Sequence, residues 1–331
     1  MSELSPYPWQ QGLWQGLMAR VAQQRLPHAI LLTGVAGIGK RHLASCLAHS
    51  LLCDNRLEDG TACGQCRSCL LLTAGTHPDY LLVQPEEEGK GIGIDKVRAL
   101  GEFQSLKSQY SHGRVIQLHP ADALNINAAN ALLKTLEEPS GDTTLILATD
   151  RPMSLLATIR SRCQQIVLQP TVAPESDSWL RSRLQHTESY DNSLLKMSGG
   201  APLRALHWAE NGELEWRQQR CDELQALERN EYSAVALAKS WYEIGSDRIL
   251  PWFYGMVLDL LRLKQVPQAT PQSNPQLQQQ LHSLADRVDL DFLQQLGERL
   301  QEWMRSMRGQ INQQLLLEEL LLAWKQRRIG G

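Results

Sequence analysis

This chain of 331 residues has no apolar run near the ~20 residues that a bilayer-spanning helix needs, so no membrane partner is expected. Its charge has no dominant sign: 33 Lys+Arg stand against 36 Asp+Glu, a formal net charge of -3. That balance excludes a protein that coats nucleic acid by bulk electrostatics, although not a local basic face. The opening MSELSPYPWQ has no basic segment followed by an apolar core, so no secretory signal is expected. A cytoplasmic location follows as an expectation, and thiols stay reduced there. This matters because seven cysteines are present and four of them cluster. No internal repeat is visible.

What is present fits a soluble globular protein of two or three domains, with 42% hydrophobic and 21% charged residues. Trp9, Leu13, Leu17 and Val21 recur at helical spacing, so residues 9–24 read as an amphipathic helix. Short apolar runs read as strands at 29–32, 80–83, 114–118, 144–149 and 165–168. Helical patterns fall between them at 94–107, 125–138 and about 153–161, with Asp95 and Asn125 as candidate caps and Pro139 as a stop. Strands alternating with helices imply a parallel sheet covered on both faces, hence an α/β nucleotide-binding architecture. The texture changes near residue 170 to a small helical unit with a Ser-Gly-Gly turn. After about 208 only helical signals remain, interrupted by the linker-like VPQATPQSNP at 266–275. The segment INQQLLLEELLLAW, 311–324, suits core burial first and an oligomer contact second.

Two constellations carry chemistry. GVAGIGKRHLA, from Gly34, follows a strand and opens a helix, as a loop that turns backbone N–H groups toward phosphate should. Gly34, Gly37, Gly39 and Lys40 fit that role, but Arg41 stands where a Mg²⁺-binding hydroxyl is expected, and a guanidinium has no acceptor. The later strand RVIQL ends at Leu118 and is followed by His119 and Pro120, where an ATPase needs carboxylates for metal and water; Asp122 lies further on, in the turn or the next helix. Two parts of the hydrolytic apparatus are therefore missing, and Mg²⁺ is not expected. The loop alone leaves open whether ATP or ADP binds without turnover. Second, Cys53, Cys63, Cys66 and Cys69 offer four soft thiolates at a spacing suited to a closed, structural zinc site. His77 could replace one thiolate but reads better as a satisfied loop histidine, and Cys46, Cys163 and Cys221 as half-buried thiols. The knuckle as a primary DNA reader is weak, since only Arg67 adds positive charge between Cys63 and Cys69.

LPHAILLTGVAGIGK, CGQCRSC, AGTHPDY, NAANALLKTLEEP and ATIRSRC occur in an order that resembles bacterial clamp-loader subunits of the AAA+ family, and among them the non-hydrolysing delta-prime class. The resemblance covers roughly the first 205 residues. It implies an AAA+ core with a zinc module at 1–169, a small helical lid at 170–207 and an all-α collar at 208–331. It implies that Cys53, Cys63, Cys66 and Cys69 hold zinc. It makes Arg162 of the SRC motif an arginine finger that acts in a neighbour's ATP site. Thr149 matches the sensor-1 region and Arg204 the sensor-2 position, both facing this chain's own loop. The implied partners are gamma or tau and delta subunits in a five-membered ring, and through them the sliding clamp and primer-template DNA in replication. The rival reading is a catalytically active, gamma- or tau-like AAA+ ATPase with a variant loop.

Overall fold

The computed structural model describes residues 4–87, 89–110, 112–139, 142–184, 193–307 and 312–326. They divide into two compact units: Met1–Leu180 with Ala201–Arg204, and Arg181–Gly200 with Ala205–Gly331.

The first unit is built on five parallel strands: β1 (Ala29–Thr33), β2 (Tyr80–Val83), β3 (Arg114–Leu118), β4 (Thr143–Thr149) and β5 (Gln164–Val167). Their order is β2-β3-β4-β1-β5. The central strands are buried on both faces because alternate side chains enter two different cores. Ile30, Leu32, Val115 and Ile146 pack with α1 (Gln11–Ala22) and α2 (Lys40–Leu52). Leu31, Ile116, Leu118, Leu145 and Leu147 pack with the helices between the later strands. After α3 (Arg67–Thr73), those are α4 (Ile94–Ser105), α5 (Ile126–Glu137) and α6 (Ala157–Arg162).

The expected strands agree with the observed ones to within one residue at each end. Residues 8–10 are a 3-10 turn ahead of α1, and 152–154 another ahead of α6. Asn125 caps α5, its side-chain oxygen accepting from the Ala128 N–H at 2.8 Å. Asp95 does not cap α4: Gly93 holds that position, and Asp95 sits in the first turn, accepting from Arg98 at 3.2 Å. The short α3 was not anticipated.

Helices α7 (Pro174–Arg183), α8 (Ser193–Met197) and α9 (Pro202–Glu210) follow the sheet. The second unit continues with α10 (Glu213–Glu228), α11 (Ala234–Ile244), α12 (Ser246–Gln265), α13 (Gln278–Ala285), α14 (Leu290–Ser306) and α15 (Gln313–Gln326). Its core is aromatic-rich: Trp241 meets Trp252 edge-on at 5.8 Å, and Phe253 meets Trp324 edge-on at 5.1 Å. Leu316, Leu317, Leu320, Leu321 and Trp324 of α15 are buried in that core, which is the first of the two uses expected of this segment.

The stretch at 266–275 is not a loose linker. Asp259 of α12, fully buried, accepts from the backbone N–H groups of Gln272 at 2.8 Å, Ser273 at 3.0 Å and Asn274 at 2.9 Å. Composition misleads here because the anchor lies outside the Pro- and Gln-rich segment. Among the described residues, no helix is long and apolar enough to cross a membrane.

Candidate functional site

Parallel strands bring the ends of β1, β3 and β4 to one edge of the sheet, the edge where open α/β sheets place ligands. A cavity of about 490 Å³ lies there, lined among others by Tyr7, Lys40, Arg41, His119, Thr149 and Asp150. The glycine loop forms one wall. Gly37 has φ +80°, and a Cβ on it would lie 2.6 Å from Arg204 Cβ and 2.7 Å from Arg204 N. The Leu203 N–H donates to the Gly37 carbonyl at 3.0 Å, so the start of α9 is clasped onto the loop. Gly37→Ala is therefore expected to cost about 1–3 kcal/mol, read as a lower urea midpoint.

Gly39, φ +94°, caps α2, and Gln10 donates to the carbonyls of Ile38 and Gly39, both at 3.1 Å. Tyr7 stacks on Trp9 at 4.7 Å and meets His42 at 4.3 Å, and Trp9 Nε1 donates to the Ile38 carbonyl at 3.0 Å, so residues 7–10 pack against the loop. Lys40 is 6% exposed. Its Nζ donates to the carbonyls of Gly34 at 2.8 Å and Val35 at 2.7 Å and pairs with Asp150. Burial pushes its pKa below the ordinary lysine value, while Asp150 works in the opposite direction.

Arg41, His119 and Asp122 lie close to the loop. Arg41 is exposed and lines the cavity. His119 is 8% exposed, and its Nε2 is buried without a hydrogen-bond partner. Burial, with help from the Arg41 charge, pushes its pKa down to about 4, so the ring is neutral at pH 7. Asp122 lies in a 3-10 turn, Ala121–Ala123, and accepts from the Thr149 hydroxyl at 2.7 Å. Thr149 in turn accepts from the Arg151 N–H at 3.0 Å. Thr149 lines the cavity, while its hydroxyl donates to the Asp122 carboxylate.

Arg162 lies elsewhere. It ends α6, just before β5, and Gln164 of β5 is level with Ile30 near the start of β1. Because the strands are parallel, Arg162 stands at the opposite edge of the sheet from the glycine loop. Its side chain is 36% exposed, pairs with Glu137 at 2.5 Å and donates to the Thr158 carbonyl at 3.1 Å.

The four cysteines converge. All their Sγ atoms lie within 4.8 Å of one another, with Cys53–Cys63 at 3.6 Å and Cys53–Cys66 and Cys63–Cys69 at 3.9 Å. A tetrahedral zinc with Zn–S bonds of about 2.3 Å places its sulfurs about 3.8 Å apart, so the cluster can hold such an ion. Backbone N–H groups of Cys63, Cys66 and Cys69 already donate to sulfurs of the set, at 3.3, 3.3 and 3.4 Å. Backbone donation from Gln65 leads in holding the Cys63 thiol down to about 7, whereas burial pushes Cys53 and Cys69 up. His77 is no ligand: its Nδ1 accepts from the Asp79 N–H at 3.1 Å and its Nε2 meets Ser68 at 2.8 Å. Cys46, Cys163 and Cys221 are buried rather than half-buried, and burial pushes their thiols up to about 12, 11 and 12.

Comparison with known proteins bears on both units. The family model described as "DNA polymerase III, delta subunit" matches residues 9–172, and "DNA polymerase III, delta subunit, C terminal" matches residues 211–326. DNA polymerase III subunit delta' of Pseudomonas aeruginosa is 39% identical over 326 residues, spanning 96% of this chain and 97% of that one. The chain belongs to the delta-prime subunit family of DNA polymerase III. The delta-prime subunit of Escherichia coli K12 is 32% identical over 320 residues, spanning 96% of this chain and 94% of that one. Among solved structures, a gamma subunit-related protein of Thermotoga maritima is 18% identical with a TM-score of 0.41, covering 95% of this chain and 99% of that one. As a delta-prime subunit, the chain is a component of DNA polymerase III, and its first unit has the parallel α/β sheet expected from the motifs.

Within this delta-prime subunit, three partners of the motif residues escaped sequence reasoning. Asp150 on Lys40, Asp122 on Thr149 and Glu137 on Arg162 are single carboxylates in no recognisable pattern. Only Glu137 carried a signal, lying in the same LEEP stretch that marks the family.

Proposed function

We propose that this subunit is the non-hydrolysing member of its clamp loader and lends Arg162 to the ATP site of a neighbouring gamma or tau subunit. The observation that carries this reading is the place of Arg162: exposed, and at the sheet edge opposite the chain's own loop. An arginine there cannot reach its own loop without crossing the length of the sheet. A neutral His119 and an Arg41 without acceptor atoms, at the cavity where metal and water would be handled, support the absence of turnover. Arg162 stabilises charge on phosphates in trans, as preorganised guanidinium groups do. Zinc at the four cysteines is a structural ion, and any ATP or ADP at Lys40 is bound without hydrolysis. The three-part organisation of core to 169, lid at 170–207 and collar at 208–331 belongs to this reading. So does a hetero-pentameric ring with delta and gamma or tau that places the clamp on primed DNA.

The test is the reconstituted clamp loader carrying Arg162→Ala in this subunit. DNA- and clamp-stimulated ATP hydrolysis is expected to fall at the neighbouring site, by up to the roughly 10³–10⁵-fold that such arginines contribute. Unchanged hydrolysis in an intact complex would show that Arg162 serves no neighbour. Phosphate release by the pure chain, dependent on Mg²⁺ and lost in Lys40→Ala, would instead favour an active ATPase.

A further inference from the structure

Lys40 is the side chain that would reach a terminal phosphate, and its ammonium is already committed within the chain. An ammonium has three donors. The Gly34 carbonyl, the Val35 carbonyl and the Asp150 carboxylate take them all. Lys40 is buried, whereas the Asp150 carboxylate is 47% exposed, so the pair presents its negative end to the cavity. The rest of the wall is suited to an anion. It includes the start of α2, a helix of 13 residues. Arg41 adds a cation at the rim.

We infer that Asp150 is an internal competitor for phosphate. Its carboxylate holds the charge of Lys40, and so it sets the affinity of this loop for nucleoside di- and triphosphates. A phosphate must displace Asp150 before it gains Lys40. The cost is electrostatic and local, since Asp150 follows directly after β4 and its release needs no change in the sheet. The inference concerns the chain's own loop and stands whether or not Arg162 serves a neighbour.

Calorimetric titration of the full chain with ADP, and separately with inorganic pyrophosphate, tests it. Three proteins are compared: the unmodified chain, Asp150→Asn, and Asp150→Asn combined with Lys40→Ala, each checked for an unchanged circular-dichroism spectrum. Asp150→Asn keeps the size of the side chain and removes its charge. Both ligands are expected to bind it about tenfold more tightly than the unmodified chain, equivalent to about 1.4 kcal/mol, and Lys40→Ala is expected to remove the gain. Equal affinity in the first two proteins, or no binding by either, overturns the inference. A gain that survives Lys40→Ala also overturns it, because relief of repulsion alone would then explain the effect. A gain for ADP without one for pyrophosphate places the effect away from the phosphates and overturns it too.

Discussion

Cys69→Ser is expected to empty the cysteine site of zinc and to loosen the chain from Cys53 to Thr73. Cys69 is fully buried, and a serine hydroxyl does not replace a thiolate at a tetrahedral zinc. Structural zinc binds zinc-finger peptides with about 10–16 kcal/mol of apparent free energy at neutral pH, and a site that loses one of its four thiolates forfeits part of that stabilisation. The damage has a route. Cys66 caps α3 by accepting from the Cys69 N–H, and Leu72 of that helix packs into the core shared by α1, α2 and the sheet. Metal analysis of the unmodified chain is expected to find about one zinc per chain and four thiols protected from titration. Hydrogen exchange at 53–73 is expected to accelerate in Cys69→Ser or after chelation. Far less zinc in the unmodified chain, with all thiols titrating freely, would rule out the metal and leave four reduced cysteines.

Asp259→Ala should be the most damaging single change in the second unit. The carboxylate also accepts from Asn274 Nδ2 at 3.2 Å and pairs with Arg262 at 3.3 Å. Alanine leaves three backbone N–H groups near a buried position without their acceptor, at about 1–3 kcal/mol for each that water cannot reach. A loss of about 3–5 kcal/mol is expected, visible in the urea transition of the tryptophans clustered in this unit. The segment at 266–274 should at the same time become a site of rapid proteolysis. An unchanged midpoint and an uncut loop would mean that the anchor contributes only shape. Asp259→Asn, which keeps acceptor capacity but loses charge, should fall between the two.

These anchors also show where sequence reading succeeds and where it stops. The strands were legible because each is short, apolar and bounded by polar residues, and because strand–loop–helix order around Gly34 constrains the topology. The cysteine site was legible because thiolate chemistry is confined to four residues within 17 positions, from Cys53 to Cys69. The short α3 was hidden because its seven residues, RSCLLLT, span only about two turns and show no clear helical period. Asp95 failed as a cap because the helix starts at Ile94, one residue ahead of it, and the N-cap is Gly93. The carboxylates that matter most, Asp122, Glu137, Asp150 and Asp259, were invisible in their roles. Each acts through a partner brought near by the fold, and a lone acidic residue has no pattern of its own. Motifs announce which groups could react; the tertiary structure decides which of them are already spoken for.

The pairing of β1 with β5 has a mechanical meaning. Thr33, at the glycine loop, is level with Val167, and Ile30 with Gln164, two residues from Arg162. The Leu168 N–H then fixes the end of β5 to the Thr33 carbonyl at 2.8 Å. Extended backbone tied by hydrogen bonds along its whole length does not stretch, so this pair of strands acts as a strut with the loop at one end and Arg162 at the other. A push on either end arrives at the other as displacement, without being absorbed as slack.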